Sequence, residues 1–245
     1  MLAEMLPDDF RKYPLIVPGE YARYQSFKDS LELFRNGREV IILETGLQYK
    51  VQDLIVIDSP SHGPFNMVSG SWPKVEDYRQ NASILRDYRQ QILNGFGVNK
   101  NKPKRMIFLA RGNKRREFNQ DELWNIANGL GFERVQSEML SFHEQVKLFH
   151  DSKCLVGASG AAWANVLFCQ NGSKAITWLV PKYCQFCSYS NLAMISGTEL
   201  QYIFANSDKL LANTGDAYQA SYRVDLCVFQ ERLTKMVDAA SKTLN

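Results

Sequence analysis

Three features of the sequence predict an α/β fold built on parallel sheets. Short, branched apolar runs alternate with longer amphipathic stretches, and Pro, Gly or charged residues bound the short runs. One of the short runs passes into a longer one through five small residues, Gly157-Ala158-Ser159-Gly160-Ala161. Alternation of this kind stacks strands in parallel with helices on the sheet faces.

Taken in order, "PLIVP" (14–18), "EVIIL" (39–43) and "DLIVI" (53–57) read as buried strands. Residues 24–37 read as a helix with Phe27, Leu31 and Phe34 on one face and Gly37 as its stop. Residues 73–97 read as one long helix closed by glycines. The polar, basic segment "GVNKNKPKR" (97–105) contains both Gly and Pro and is the expected linker. A boundary near residue 100 gives an N-terminal unit, 1–100, and a C-terminal unit, 101–245.

In the second unit, 105–110, 133–138, 175–181 and 200–205 read as strands. Residues 119–131, 141–152, 190–197 and 224–243 read as helices, with Ser141 and Glu144 spaced as a capping box. Residues 154–168 run strand, tight turn, helix.

A chain of 245 residues with 45% hydrophobic content can bury a sizeable core. A formal charge of +3 without a sustained basic run argues against a nucleic-acid partner. No apolar run approaches the roughly 20 residues that cross a bilayer, and "MLAEMLPDDFRKYP" lacks the apolar core of a signal peptide. Five scattered cysteines suit a reducing compartment better than a disulfide framework, so a cytoplasmic location is expected.

The small-residue turn admits three readings. "GASGA" fits a nucleophile elbow with Ala in the last place, but such an elbow needs a later His. His62, His143 and His150 all precede Ser159, which argues against a serine hydrolase. A Gly-rich turn opening a helix also points backbone N–H groups at an anion, beyond the carboxyl end of a strand. Finally, small residues can simply let a helix pack close to a sheet. The turn alone does not separate the last two readings.

A second piece lies in "IFLARGNKRREFNQDEL" (107–123), where Arg111 directly follows a strand and Arg115 and Arg116 come shortly after. Guanidinium groups pair well with phosphate oxygens, so arginines at one strand end and a small-residue turn at another favour a phosphate site. Asn119 is placed as the cap of the following helix.

The run from "FLARGNKRREFNQDEL" through "GFERVQSEMLSFHEQVKLFHDSKCLVGASGAAWANVLF" to "AITWLVP" resembles glycosyltransferase family 61. Arg111, Arg115, Asn119, Glu122 and Leu123 fall on that family's spacing, and Gly131-Phe132, Glu144-Gln145, Gly157, Gly160-Ala161, Asn165 and Phe168 continue in register. The resemblance implies a GT-B fold of two Rossmann-like lobes, with a nucleotide-sugar donor held mainly by the C-terminal lobe. It implies an inverting transfer to a glycan or glycoconjugate acceptor, as in surface polysaccharide assembly. No metal cofactor is implied, in keeping with the lack of an Asp-x-Asp motif and with a Cys184-x-x-Cys187 pair that stands alone.

On this basis Arg111 and Arg115 neutralise the diphosphate, while backbone N–H groups of Ser159, Gly160 and Ala161 complete a cradle. Asn165 reaches either the nucleotide or a facing loop, and Glu144 either the ribose or base or only its own capping box.

Three departures stand out. The family's usual His-Gly-Ala-Gly becomes Ser159-Gly160-Ala161-Ala162, and the Glu common in the next strand becomes Trp178, expected as a stacking surface instead. "MLAEMLP" matches the tail of a family helix, so the chain reads as starting partway through the N-terminal lobe, with exposed apolar surface and a homodimer as consequences. Within the loop "IDSPSHGPFN" (57–66), Asp58 and His62 are the candidate general bases. The rival to an enzyme is a non-catalytic, nucleotide-binding relative or a partial lobe acting with a partner chain.

Overall fold

The computed structural model describes residues 6–57, 61, 72, 74–98, 101–112, 116–207, 211–212, 216–217 and 220–242. Its strands are β1 (Leu15–Pro18), β2 (Val40–Leu43), β3 (Arg105–Leu109), β4 (Glu133–Val135), β5 (Ser152–Ala158), β6 (Lys174–Leu179) and β7 (Glu199–Phe204). Its α-helices are α1 (Gln25–Phe34), α2 (Ala82–Gly95), α3 (Gln120–Gly129), α4 (Phe142–His150), α5 (Ser188–Ser196) and α6 (Leu226–Lys242). A 3-10 helix, Ala161–Phe168, follows β5. No described helix is long and apolar enough to cross a membrane.

All named strand pairs are parallel, as the alternation of short and long runs predicts. β1 and β2 pair across α1, and the main sheet has the order β4-β3-β5-β6-β7. Both faces of the main sheet are buried, and its residues alternate between two cores. Phe108, Val156, Ile176 and Trp178 face one core with Leu123 of α3 and Phe229, Leu233 and Met236 of α6. Ile107, Leu109, Leu155 and Ala175 face the other, with Phe34, Ile92, Val146, Phe149 and Leu192. Side chains on a strand point to opposite faces in turn, so a strand covered on both sides reads as an unbroken apolar run. Each fully buried large apolar side chain contributes roughly 1.5–3 kcal/mol relative to exposure.

α2 therefore lies against the main sheet's second face, through Ile92 and Leu93. Arg89 fixes it there, donating to the Leu167 and Cys169 carbonyls at 2.8 Å each.

Several sequence expectations need correction. Residues 53–57 form no strand and expose Leu54, Ile55, Val56 and Ile57. They read as a strand because an apolar run carries no record of whether a neighbour is there to pair with it. The long helix begins at Ala82, since the Asn81 side chain accepts from Ile84 N at 3.1 Å and caps it. β4 ends at Val135, three residues before the expected 138. The helix after the turn is 3-10 throughout. Among the described residues, most of the large exposed apolar side chains, including Ile41, Ile42 and Leu47, lie between residues 16 and 57.

Candidate functional site

The order β4-β3-β5-β6-β7 reverses direction between β3 and β5. The chain leaves β3 for one edge of the sheet and returns to β5 on the other side. The loops beyond the carboxyl ends of two such strands diverge and leave a crevice, the usual ligand position in open α/β sheets. Arg111 lies just past β3 and Ser159 just past β5.

The two ends are joined directly, Arg111 Nη2 donating to the Ser159 carbonyl. Gln120 at the start of α3 holds the Arg111 backbone from both sides. Its Oε1 accepts from Arg111 N at 2.7 Å and its Nε2 donates to Arg111 O at 3.1 Å. No sequence signal marked Gln120.

The turn's small residues do two different jobs. Gly157 lies opposite Leu109 in the β3–β5 register, and a Cβ there would sit 2.7 Å from Leu109 Cβ and 3.0 Å from Leu109 O. This glycine serves strand packing. Gly160 has extended backbone, and a Cβ there would sit 2.8 Å from Arg111 Nη2. This glycine makes room for the guanidinium.

Two groups of Trp163 brace the turn. Its indole donates to Ala158 O at 3.0 Å and its backbone N to Gly160 O at 2.9 Å. The Ser159 N–H donates to Trp178 O at 3.1 Å, continuing the β5–β6 ladder. The expected cradle therefore loses one of its three N–H groups, while those of Gly160 and Ala161 meet no acceptor among the described residues.

Beyond β5 and β6 opens a cavity of about 170 Å³. Arg116, Ser159, Gly160 and Ala161 line one side, with Tyr183, Phe186, Tyr189 and Tyr222 as an aromatic wall. Trp72 and Tyr78 support that wall from outside, through edge-to-face contacts to Tyr183 at 5.6 Å and Phe186 at 5.5 Å. Burial raises the Tyr222 phenol above its ordinary range, while nearby Arg111 and Arg116 act the other way. Both guanidinium groups thus act electrostatically on this phenol. In a run of arginines, sequence does not tell which one turns inward; Arg116 lines the cavity.

Other expected site residues lie elsewhere. Asn165 is buried and its Nδ2 donates to Gln145 Oε1 of α4 at 2.8 Å. Glu144 Oε2 accepts from Ser141 N at 2.8 Å and Ser141 Oγ at 2.7 Å, completing the capping box and holding its carboxyl below the usual range. Asp58, His62 and Arg115 lie outside the described residues.

Trp178, expected as a stacking surface, borders the cavity from within the core. It is fully buried, with edge-to-face contacts to Phe118 and Phe229 at 5.7 Å each.

Asn119 does not cap α3 with its side chain. Its Oδ1 accepts from Val224 N and its Nδ2 donates to Val224 O, both at 3.0 Å. Glu122 accepts from Arg223 Nη2 at 2.9 and 2.6 Å. These two residues latch the segment carrying Tyr222 to α3. The thiols of Cys184 and Cys187 are free, and no group of three or more His, Cys, Asp or Glu that could hold a metal occurs among the described residues.

A family model described as Glycosyltransferase 61 matches residues 5–176, from before β1 into β6. No curated protein matches the chain.

Proposed function

The chain belongs to glycosyltransferase family 61, and on that premise we propose that it transfers a sugar from a nucleotide-sugar donor to a glycan or glycoconjugate acceptor. The observation that carries the reading is the Arg111–Ser159–Gly160 junction at the strand-order reversal. The donor's diphosphate sits over the turn, accepting from the N–H groups of Gly160 and Ala161 between Arg111 and Arg116. Arg115 adds to this field, and the aromatic wall takes the nucleoside.

Cations and oriented N–H groups stabilise a leaving diphosphate because charge builds on it as the glycosidic bond breaks. Protein groups supply this stabilisation in the proposed mechanism, with no metal. The transfer is a single inverting displacement, in which Asp58 or His62 removes the acceptor hydroxyl's proton. The reading includes a two-lobed GT-B arrangement divided near residue 100, a cytoplasmic location and a homodimer that covers the apolar surface of residues 16–57.

Calorimetric titration with uridine, guanosine, cytidine and adenosine diphosphates tests the donor site. Saturable binding of one of them, weakened in Arg111→Ala, is the expected result. No binding of any, in wild type and variant alike, refutes it.

A second reading, a nucleotide-binding protein without transferase activity, is favoured by Ser159, which cannot titrate near neutral pH as the family's His can. Slow hydrolysis of a nucleotide sugar, lost in Arg111→Ala, separates the enzyme from the binder.

A further inference from the structure

A second cavity, of about 230 Å³, opens at the other end of the main sheet. Arg89, Gln90 and Asn94 of α2, His150 at the end of α4, and Gln170 and Asn171 line it, with Leu93 and Val98 as its apolar part. His150 precedes the first residue of β5 by two positions, whereas the turn follows the last. The seven residues of β5 therefore hold the two cavities about 20 Å apart.

His150 is the informative group. It is 7% exposed, and its Nδ1 lies 3.1 Å from the Phe168 carbonyl oxygen. A carbonyl can only accept, so Nδ1 carries a proton, and in that tautomer Nε2 presents a lone pair. That Nε2 is buried and makes no hydrogen bond among the described residues. Buried polar atoms are normally partnered, and one that is not calls for an occupant.

The sign of the local charge decides what kind of occupant fits. α4 ends at His150 and the 3-10 helix at Phe168, so two helix C-termini meet here with their partial negative charges. The carbonyls at the end of the 3-10 helix already serve as the counter-charge of Arg89, which donates to Leu167 O and Cys169 O, while the His150 carbonyl at the end of α4 accepts from Gln170 Nε2 at 3.0 Å. An anion would face both helix ends and, when fully ionised, would offer no proton to Nε2.

The remaining polar lining consists of the carboxamides of Gln90, Asn94, Gln170 and Asn171. Gln90 Nε2 donates to Asn94 Oδ1 at 2.8 Å and Gln170 Nε2 to Asn101 O at 2.7 Å and His150 O at 3.0 Å, which leaves the Asn94 amide N–H groups to donate and the Gln90 and Gln170 amide oxygens to accept. Hydroxyl groups match this set, because each gives one hydrogen bond and takes others. We propose that the cavity binds a neutral polyhydroxylated ligand, a single saccharide unit, with one hydroxyl donating to His150 Nε2 and others pairing with Arg89 and the carboxamides. The proposal does not rest on the donor site.

Nitrogen NMR of the imidazoles in the full chain tests it directly, with the His150 signal assigned by a His150→Gln variant. Glucose, galactose, mannose and xylose are titrated separately, with inorganic phosphate as a further arm. At least one sugar is expected to shift the Nε2 signal saturably. Asn94→Leu, on an exposed position of α2, should weaken that response at least fivefold. The response should persist unchanged in Arg111→Ala. A shift with phosphate and none with any sugar overturns the proposal in favour of an anion site. No shift with any of them overturns it in favour of bound water. Loss of the sugar response in Arg111→Ala would trace it to the other cavity and overturn it too.

Discussion

Arg111 Nη2 donates to the carbonyl oxygen of Ser159, tying the end of β3 to the end of β5 where the strand order reverses. A cation fixed at this point has one N–H group committed to protein, and its remaining N–H groups meet no acceptor among the described residues. Gln120 makes that position rigid by holding the Arg111 backbone N–H and carbonyl at once.

Replacing Arg111 by Ala is expected to weaken nucleoside diphosphate binding roughly 10- to 100-fold, the range of a lost charge-assisted hydrogen bond of about 1.5–3 kcal/mol. Arg111→Lys should recover only part of this, because an ammonium keeps the charge but lacks the planar fork. Dissociation constants from calorimetry check both variants. An unchanged constant in Arg111→Ala would remove this residue from the donor site.

The two glycines of the turn should fail in different ways. Gly157→Ala drives a Cβ against Leu109 in the neighbouring strand and is expected to destabilise the fold by about 1–3 kcal/mol. Gly160→Ala meets only the far end of the Arg111 side chain. It should leave the melting temperature nearly unchanged while weakening nucleotide binding. Equal effects of the two changes on stability would argue that the whole turn serves packing.

That contrast shows what sequence could and could not disclose. The central strands β3, β5 and β6 were legible because both faces are covered, so each appears as an apolar run whatever its neighbours. Residues 53–57 have the same composition yet pair with no strand among the described residues, because pairing depends on a partner strand and not on the run. Gly157 and Gly160 look alike in sequence. Only the register that sets Gly157 against Leu109 distinguishes them. The side chain of Asn119 was unreadable for a related reason. It sits where a helix cap belongs, but its partner, Val224, is 105 residues away.

Alkaline pH should expose the state of the buried acids. The Tyr78 phenol is pushed up to about 12 from 10.0, first by burial and then by nearby Cys187 and Asp77. Burial pushes the Cys169 thiol up to about 12 from 9.0. In both cases the fold favours the protonated form. Their contribution is therefore complete below the unfolded pKa values and is lost as pH rises through roughly 9–12. Melting temperature measured against pH should fall across this window, and less steeply in Tyr78→Phe. Identical slopes for Tyr78→Phe and wild type would show that the phenol's burial does not govern alkaline unfolding.

The latch on the Tyr222 segment gives a last expectation. Asn119 satisfies both the N–H and the carbonyl of Val224, which is fully buried. Asn119→Ala leaves both groups unpaired away from water and should cost about 1–3 kcal/mol. Glu122 and Arg223 hold the same segment from an exposed position, where solvent screens the pair, so Glu122→Gln should cost much less. Because Val224 is next but one to Tyr222 in the cavity wall, Asn119→Ala should also weaken nucleotide binding, by less than Arg111→Ala. Denaturant unfolding and calorimetry on the same samples resolve the two effects. A stability loss with no change in affinity would mean that the latch supports the fold without positioning the cavity wall.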